Sequence, residues 1–192
     1  MHIVNVGYDS ANYYVLGQGN ARLLVDVGQP GTFPKLLAIL RRKDIALRSV
    51  GYLLATHYHP DHAGIAQELK NEGVRLIVLE HQLPAIPLLK RWVKPVSPYV
   101  DIQLHGNVQL TLGESRAFLQ GIGIAGEIVS TRGHSDDSVT LVLDSGEAFT
   151  GDALAPAGDD ASIAMVAQSL SDIRALHATV IYPGHGPPRP LQ

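Results

Sequence analysis

Four side chains able to bind a metal fall within six positions, His57-Tyr58-His59-Pro60-Asp61-His62. In an extended segment residues two apart point the same way, so His57 and His59 converge on one cation where a strand ends. Pro60 and an incoming helix then turn the chain, and Asp61 and His62 face a second point close by. Three later positions each follow a strand pattern in a glycine-marked turn: His134 in Thr131-Arg132-Gly133-His134-Ser135, Asp152 in Thr150-Gly151-Asp152, and His185 in Pro183-Gly184-His185-Gly186. Glycine lets the backbone turn tightly and brings a ligand atom close. The chain holds nine histidines and no cysteine, which excludes thiolate zinc sites, iron–sulfur clusters, disulfides and a cysteine nucleophile within it. Any metal is held by nitrogen and oxygen, a donor set that suits zinc, iron or manganese.

Positioning those side chains requires several turns at one edge of a layered fold. Short apolar runs at 2–6, 13–17 and 22–27, punctuated by Gly7-Tyr8-Asp9-Ser10 and Gly17-Gln18-Gly19-Asn20, predict an antiparallel strand meander. At 32–43 the period switches: Phe33, Leu36, Leu37 and Leu40 recur at helical spacing, with Thr32 as cap and Pro34 in the first turn. The continuous apolar run 50–55 reads as a strand buried on both faces that delivers the chain into the histidine motif. A helix over 63–71, stopped by Gly73, and a strand over 74–79 follow. Pro84, Pro87, Pro95 and Pro98 then interrupt an apolar segment, 80–106, which reads as helix-turn fragments or a lid. Strands are predicted at 108–112, 116–119, 127–131, 138–143 and 148–150, then a helix over 162–177 and a last strand at 179–182. The order suggests one α/β domain spanning 1–192, with two sheets face to face and helices outside.

Fifteen Lys+Arg against eighteen Asp+Glu leave a net charge of −3, with no basic face of the kind nucleic acid requires. Neither a leader-like start nor an apolar run near the ~20 residues that span a bilayer is visible. A cytoplasmic protein with a small-molecule substrate, and without nucleic-acid or membrane partners, is the expectation.

His57-x-His59-x-Asp61-His62, followed in order by His134, Asp152 and His185, resembles the signature of the metallo-β-lactamase-fold hydrolases, in a minimal glyoxalase II-like or lactonase-like form. Asp26, in Leu24-Val25-Asp26-Val27-Gly28, resembles that family's first motif, so the likeness runs from about residue 12 to 186. It implies a four-layer αββα sandwich holding two divalent ions, Zn²⁺ first, with Fe or Mn as alternatives. One ion falls to His57, His59 and His134, the other to Asp61, His62 and His185, with Asp152 bridging. Asp26 then supports the motif loop instead of binding metal.

Two ions about 3.5–4 Å apart share a water and lower its pKa towards ~7, so the implied reaction is attack of a bridging hydroxide on a carbonyl ester, lactone or thioester. Asp61 is placed to pass a proton to the leaving group, its alternative role being a helix N-cap. Ser135, Asp136, Asp137 and Ser138 are expected either to brace metal-bound histidines or to form a polar turn. Arg132 is a candidate contact for a substrate anion, the alternative being a surface charge. Trp92 and Tyr99, with Leu83, Ile86, Leu88 and Leu89, offer an apolar wall if 80–106 folds over the metals; a satellite core patch or a homodimer contact is the other expectation for that segment. Seven residues follow His185, too few for the helical domain with which glyoxalase II enzymes hold glutathione. Other readings are an iron-dependent persulfide dioxygenase using His57, His134 and Asp152, a phosphoesterase, and a non-catalytic metal-stabilised binding domain.

Overall fold

The computed structural model describes residues 1–17 and 22–191. The expected turn at Gly17-Gln18-Gly19-Asn20 lies mostly outside them. Among the described residues eleven strands form two sheets. In the first, β1 (Ile3–Asn5), β2 (Tyr14–Leu16) and β3 (Arg22–Val25) are antiparallel, and β4 (Val50–Leu54), β5 (Arg75–Leu79) and β6 (Val108–Leu110) continue it in parallel. The second runs β11 (Arg189–Pro190), β10 (Val180–Pro183), β9 (Glu147–Gly151), β8 (Val139–Leu143), β7 (Gly126–Ser130), with only β9 and β10 parallel.

The strand residues explain the layering. Along β3, β4 and β5, Leu23, Val25, Tyr52, Leu54, Ile77 and Leu79 point between the sheets, where they meet Ile128, Val139, Leu141, Leu143 and Phe149. Their alternates Leu24, Leu53, Leu76 and Val78 face outward onto Leu36 and Leu40 of α1 (Phe33–Arg42) and Leu69 of α3 (Ala66–Asn71). With apolar residues of period two serving both faces, these runs read as continuously hydrophobic. Val142, Ala148 and Ile181 pack against Ile173 of α5 (Asp160–Ala175) on the far side. The result is the αββα order expected from the sequence.

Three local expectations are corrected. Residues 116–119 are not a strand: they belong to helix α4 (Ser115–Gly121), which closes the edge of the sandwich through Leu119 and a ring contact between Phe118 and Tyr52. The start signal was present as Thr111-Leu112-Gly113-Glu114, where the Glu114 carboxylate accepts from Thr111 N and Oγ1 at 2.8 Å. The single helix over 63–71 is two, α2 (Pro60–Ala63) and α3, separated where Gly64 lies against Pro30 with no room for a Cβ. Thr32 does stand at the start of α1, but its hydroxyl donates to Gln29 O at 2.6 Å instead of capping the helix.

The segment 80–106 contains two 3₁₀ turns, Glu80–Gln82 and Ile86–Trp92, and no regular layer. Ile86 and Leu89 are buried in the outer core, with Leu83 and Tyr99 packed against it. None of the described helices is long and apolar enough to cross a membrane.

Candidate metal centre

All seven sequence-selected ligands gather at one edge of the sandwich, at the ends of strands from both sheets. His57 and His59 follow β4, and Asp61 and His62 ride on α2. His134 follows β7, Asp152 follows β9, and His185 follows β10. Backbone bonds stitch these ends together: Val139 N donates to Thr56 O at 2.8 Å, Gly184 N to Gly151 O at 2.8 Å, and Val27 N to His62 O at 3.0 Å.

Two niches result. His57 Nε2 and His134 Nε2 lie 3.0 and 3.1 Å from His59 Nδ1. His185 Nε2 and His62 Nε2 lie 3.4 and 3.9 Å from Asp61 Oδ2. Asp152 Oδ2 stands between the groups, 3.5 Å from both His62 Nε2 and His185 Nε2 and 3.8 Å from His134 Nε2. Ligand atoms held tetrahedrally at about 2.0–2.1 Å from a Zn²⁺ sit roughly 3.3 Å apart, within the 3.0–3.9 Å range of these distances.

The hydrogen-bond pattern around the histidines also suits a bound cation. A neutral imidazole has one N–H and one lone pair. His134 Nδ1 lies 3.0 Å from Ala155 O, and His185 Nδ1 lies 2.6 Å from Ser10 O; carbonyls only accept, so both Nδ1 atoms carry the proton. His62 Nδ1 likewise donates to Asp26 Oδ2 at 2.9 Å. Thr56 Oγ1 gives its one hydrogen to the other side of that carboxylate's lone-pair set, at 2.8 Å, and therefore accepts from His57 Nδ1 at 3.2 Å. The Nε2 atoms of these rings thus turn inward, those of His57 and His134 onto His59 Nδ1, and His62 Nε2 is buried with no hydrogen-bond partner. A divalent cation among these atoms would be bound by nitrogen and carboxylate oxygen together.

Electrostatics point the same way. Burial and the neighbouring imidazoles hold His57 well below the usual histidine range, and burial lowers His59 as well, so both stay neutral and ready to ligate. Burial would lower His62 too, yet the Asp26 and Asp152 carboxylates outweigh it and raise its pKa to about 10. Burial would raise Asp152, but His62, His185 and His134 bring it below the ordinary carboxylate value. The site attracts positive charge.

Asp26 touches the motif loop as expected: it is buried, adopts a left-handed φ of 62°, and accepts from Thr56 N at 2.6 Å. Ser135 and Ser138 do not brace a histidine; their hydroxyls bond to each other at 2.7 Å. Asp137 instead accepts from Tyr58 N at 2.7 Å, between the two first ligands. Arg132 is exposed and its side chain does not line the site's cleft. Tyr99 packs on the outer core, leaving Trp92 as the member of the expected apolar wall that reaches the metal centre, its ring 5.6 Å from that of His59. His2, His81, His105 and His177 join no ligand cluster among the described residues.

Two supports escaped sequence reasoning. Gln82, fully buried, donates to Ala55 O at 3.1 Å and Asp137 O at 3.1 Å, fastening the strand end that leads to His57. Asn12 binds the His185 turn three times, through its N to Gly184 O at 2.7 Å and its Nδ2 to Pro183 O at 3.0 Å and Gly186 O at 2.7 Å. Neither has a local sequence signal, because their partners lie far along the chain.

A sandwich of this order with a two-niche His/Asp centre at its strand ends defines a metal-binding α/β protein of the metallo-β-lactamase type. The metallo-beta-lactamase superfamily model matches residues 6–185, and the chain belongs to that family. Its relatives include a beta-lactamase-like protein 2 homolog of Caenorhabditis elegans, 29% identical over 92% of this chain and 56% of the relative. An atrochrysone carboxyl ACP thioesterase of Aspergillus fumigatus is 28% identical over 91% and 37% respectively. The chain thus spans about half the length, or less, of these curated relatives. Among solved structures, a metallo-beta-lactamase family protein from Thermus thermophilus superposes with a TM-score of 0.73 at 22% identity, covering 97% of this chain and 73% of that one. At that identity the likeness shows the fold.

Proposed function

We propose that this chain is a dinuclear metal-dependent hydrolase of small-molecule esters, lactones or thioesters, with thioesters favoured by the thioesterase-named relatives. The observation that carries the reading is that the Nδ1 atoms of His57, His62, His134 and His185 all have partners outside the cluster, which turns their four Nε2 atoms inward beside Asp61 and Asp152; His62 gives up its Nε2 proton when an ion binds. His57, His59 and His134 would hold one ion, and Asp61, His62 and His185 the other, with Asp152 shared. Two divalent ions bound there supply an activated water and Lewis acidity toward the carbonyl oxygen.

The chain's own contribution is orientation and proton movement. Carbonyls and Asp26 lock the imidazoles, so no reorganisation of ligands is needed during turnover. Asp61 is the carboxylate that both lines the cleft and reaches the cluster, so it holds the proton that leaves with the thiolate or alkoxide. A single-iron dioxygenase built on His57, His134 and Asp152 leaves Asp61, His62 and His185 converged without a task, which favours the two-ion hydrolase.

The test is elemental analysis of protein purified without added metal, together with turnover of a thioester and lactone panel. About two Zn²⁺ per chain, and loss of turnover in His59→Ala, are expected. Full turnover by metal-free protein, or a single iron with persulfide-dependent oxygen uptake, would overturn it.

A further inference from the structure

Beside the metal centre lies a cleft of about 540 Å³ whose walls include Gln29, Pro30, His59, Asp61, Trp92 and Lys94. Two of these side chains have no structural task. The indole of Trp92 is 67% exposed, edge-on to His59, although an aromatic of this size normally gains its stability from burial. Lys94 makes no side-chain hydrogen bond or ion pair among the described residues. Other lysines near it are committed: Lys90 pairs with Asp101 at 2.7 Å, and Lys70 ties Gln103 O and Asn107 to the body of the protein.

The segment that carries both is anchored. Gly31 has a left-handed φ of 81°, and a Cβ there would stand 2.9 Å from Pro98 Cγ, so the backbone of the 28–32 loop and the end of the 92–98 segment touch. Lys90 and Lys70 fasten the flanking stretches. Trp92 and Lys94 both line the cleft, on a segment that meets the 28–32 loop through Pro98. Asp61 is the one carboxylate on that wall, and it is turned to His185 at 3.4 Å.

We propose that the substrate carries two features recognised here: a flat apolar body that stacks on Trp92 and an oxyanion group, carboxylate or phosphate, that pairs with Lys94. This rests on the hydrolase reading for its chemistry. Water adds its oxygen to the acyl carbon, the C–S or C–O bond breaks, and the leaving sulfur or oxygen keeps the electron pair and takes up a proton. Binding by Trp92 and Lys94 is measurable without that step.

Trp92 is the only tryptophan in the 192 residues, so fluorescence excited selectively in tryptophan reports on this cleft. Titrations of the metal-loaded protein compare 4-carbamoylbenzoate with terephthalamide, and phosphopantetheine with pantetheine. The first pair matches in shape and differs in charge, and the second differs by the phosphate group itself. At least one anion is expected to shift the Trp92 emission and bind about tenfold tighter than its neutral twin. In Lys94→Ala that ratio falls to near one, and Lys94→Arg restores it. A carboxylate preference puts the oxyanion on the acyl side and a phosphate preference puts it on the leaving group; both support the proposal. Equal binding within both pairs, or an anion preference untouched by Lys94→Ala, would overturn it, whether or not the protein hydrolyses any ester.

Discussion

Asp26 Oδ2 lies 2.9 Å from His62 Nδ1 with both residues buried. The same carboxylate takes the hydroxyl and backbone N–H of Thr56, whose oxygen in turn orients His57. One buried acid thus sets two ligands that belong to different niches. Asp26→Ala leaves three donors unpaired in the interior, which costs about 3–5 kcal/mol of stability. It should also loosen metal by about 10–100-fold, the usual effect of removing a group that orients a ligand histidine. Urea melts of the metal-free protein and competition with a chelator measure the two effects separately. Wild-type affinity in Asp26→Ala would show that the imidazoles are held some other way.

The raised His62 pKa, about 10 against 6.5, makes the metal-free protein pH-sensitive. Below pH 6.5 the proton is bound in both folded and unfolded chains and its full stabilising contribution is present. The contribution is lost as pH rises from 6.5 through about 10. A metal ion must displace this proton, so loading at pH 7 should release about one proton per chain, and metal affinity should rise with pH. Calorimetry in two buffers of different ionisation enthalpy counts the protons. No release at pH 7 would mean that His62 is already neutral.

The ligand set was legible because His57, His59, Asp61 and His62 are close in sequence and His134, Asp152 and His185 each follow a strand in a glycine turn. Most strands of both sheets were legible from short apolar runs between turn residues; the two-residue β11, at Arg189–Pro190, carries no such run and was not expected. What failed were inferences that depended on a distant partner with no motif to mark it. The pattern at Arg116–Leu119 fits a strand as well as a helix, and it was settled by the Thr111–Glu114 start and by docking against Tyr52. Tyr99 looked like a cleft residue by composition, yet the outer core claimed it. Gln82 and Asn12 act across 27 and 171 positions, distances at which a single sequence has no periodicity to read.

Asn12 gives the next prediction. Its three bonds to 183–186, with Ser10 O on His185 Nδ1 at 2.6 Å, make the first loop of the chain the support for His185. Asn12→Asp keeps the size but cannot donate to the two carbonyls. Metal content at limiting zinc should then fall from about two towards one, with the His57, His59 and His134 niche keeping its ion. Equal loss of both ions would show that Asn12 supports the fold as a whole and not one niche.

Gly184 tests the shared ligand most directly. A Cβ at this position would stand 2.5 Å from Asp152 Oδ1 and 2.6 Å from His62 Cε1. Its backbone is not left-handed, so alanine is locally compatible and slightly reduces the entropy of the unfolded chain. The severe clashes therefore fall on the two side chains, with Gly151 C at 3.1 Å a milder main-chain contact, and His62 cannot swing away without abandoning Asp26. Asp152 has to yield, and it faces both niches. Gly184→Ala should retain the wild-type circular dichroism spectrum while losing at least about tenfold in affinity for both ions. Gly113→Ala, at a site with nothing within 4 Å of the added methyl, is the control and should bind metal as the wild type does. If Gly184→Ala lost only the ion held by Asp61, His62 and His185, Asp152 would belong to one niche and would not bridge the two.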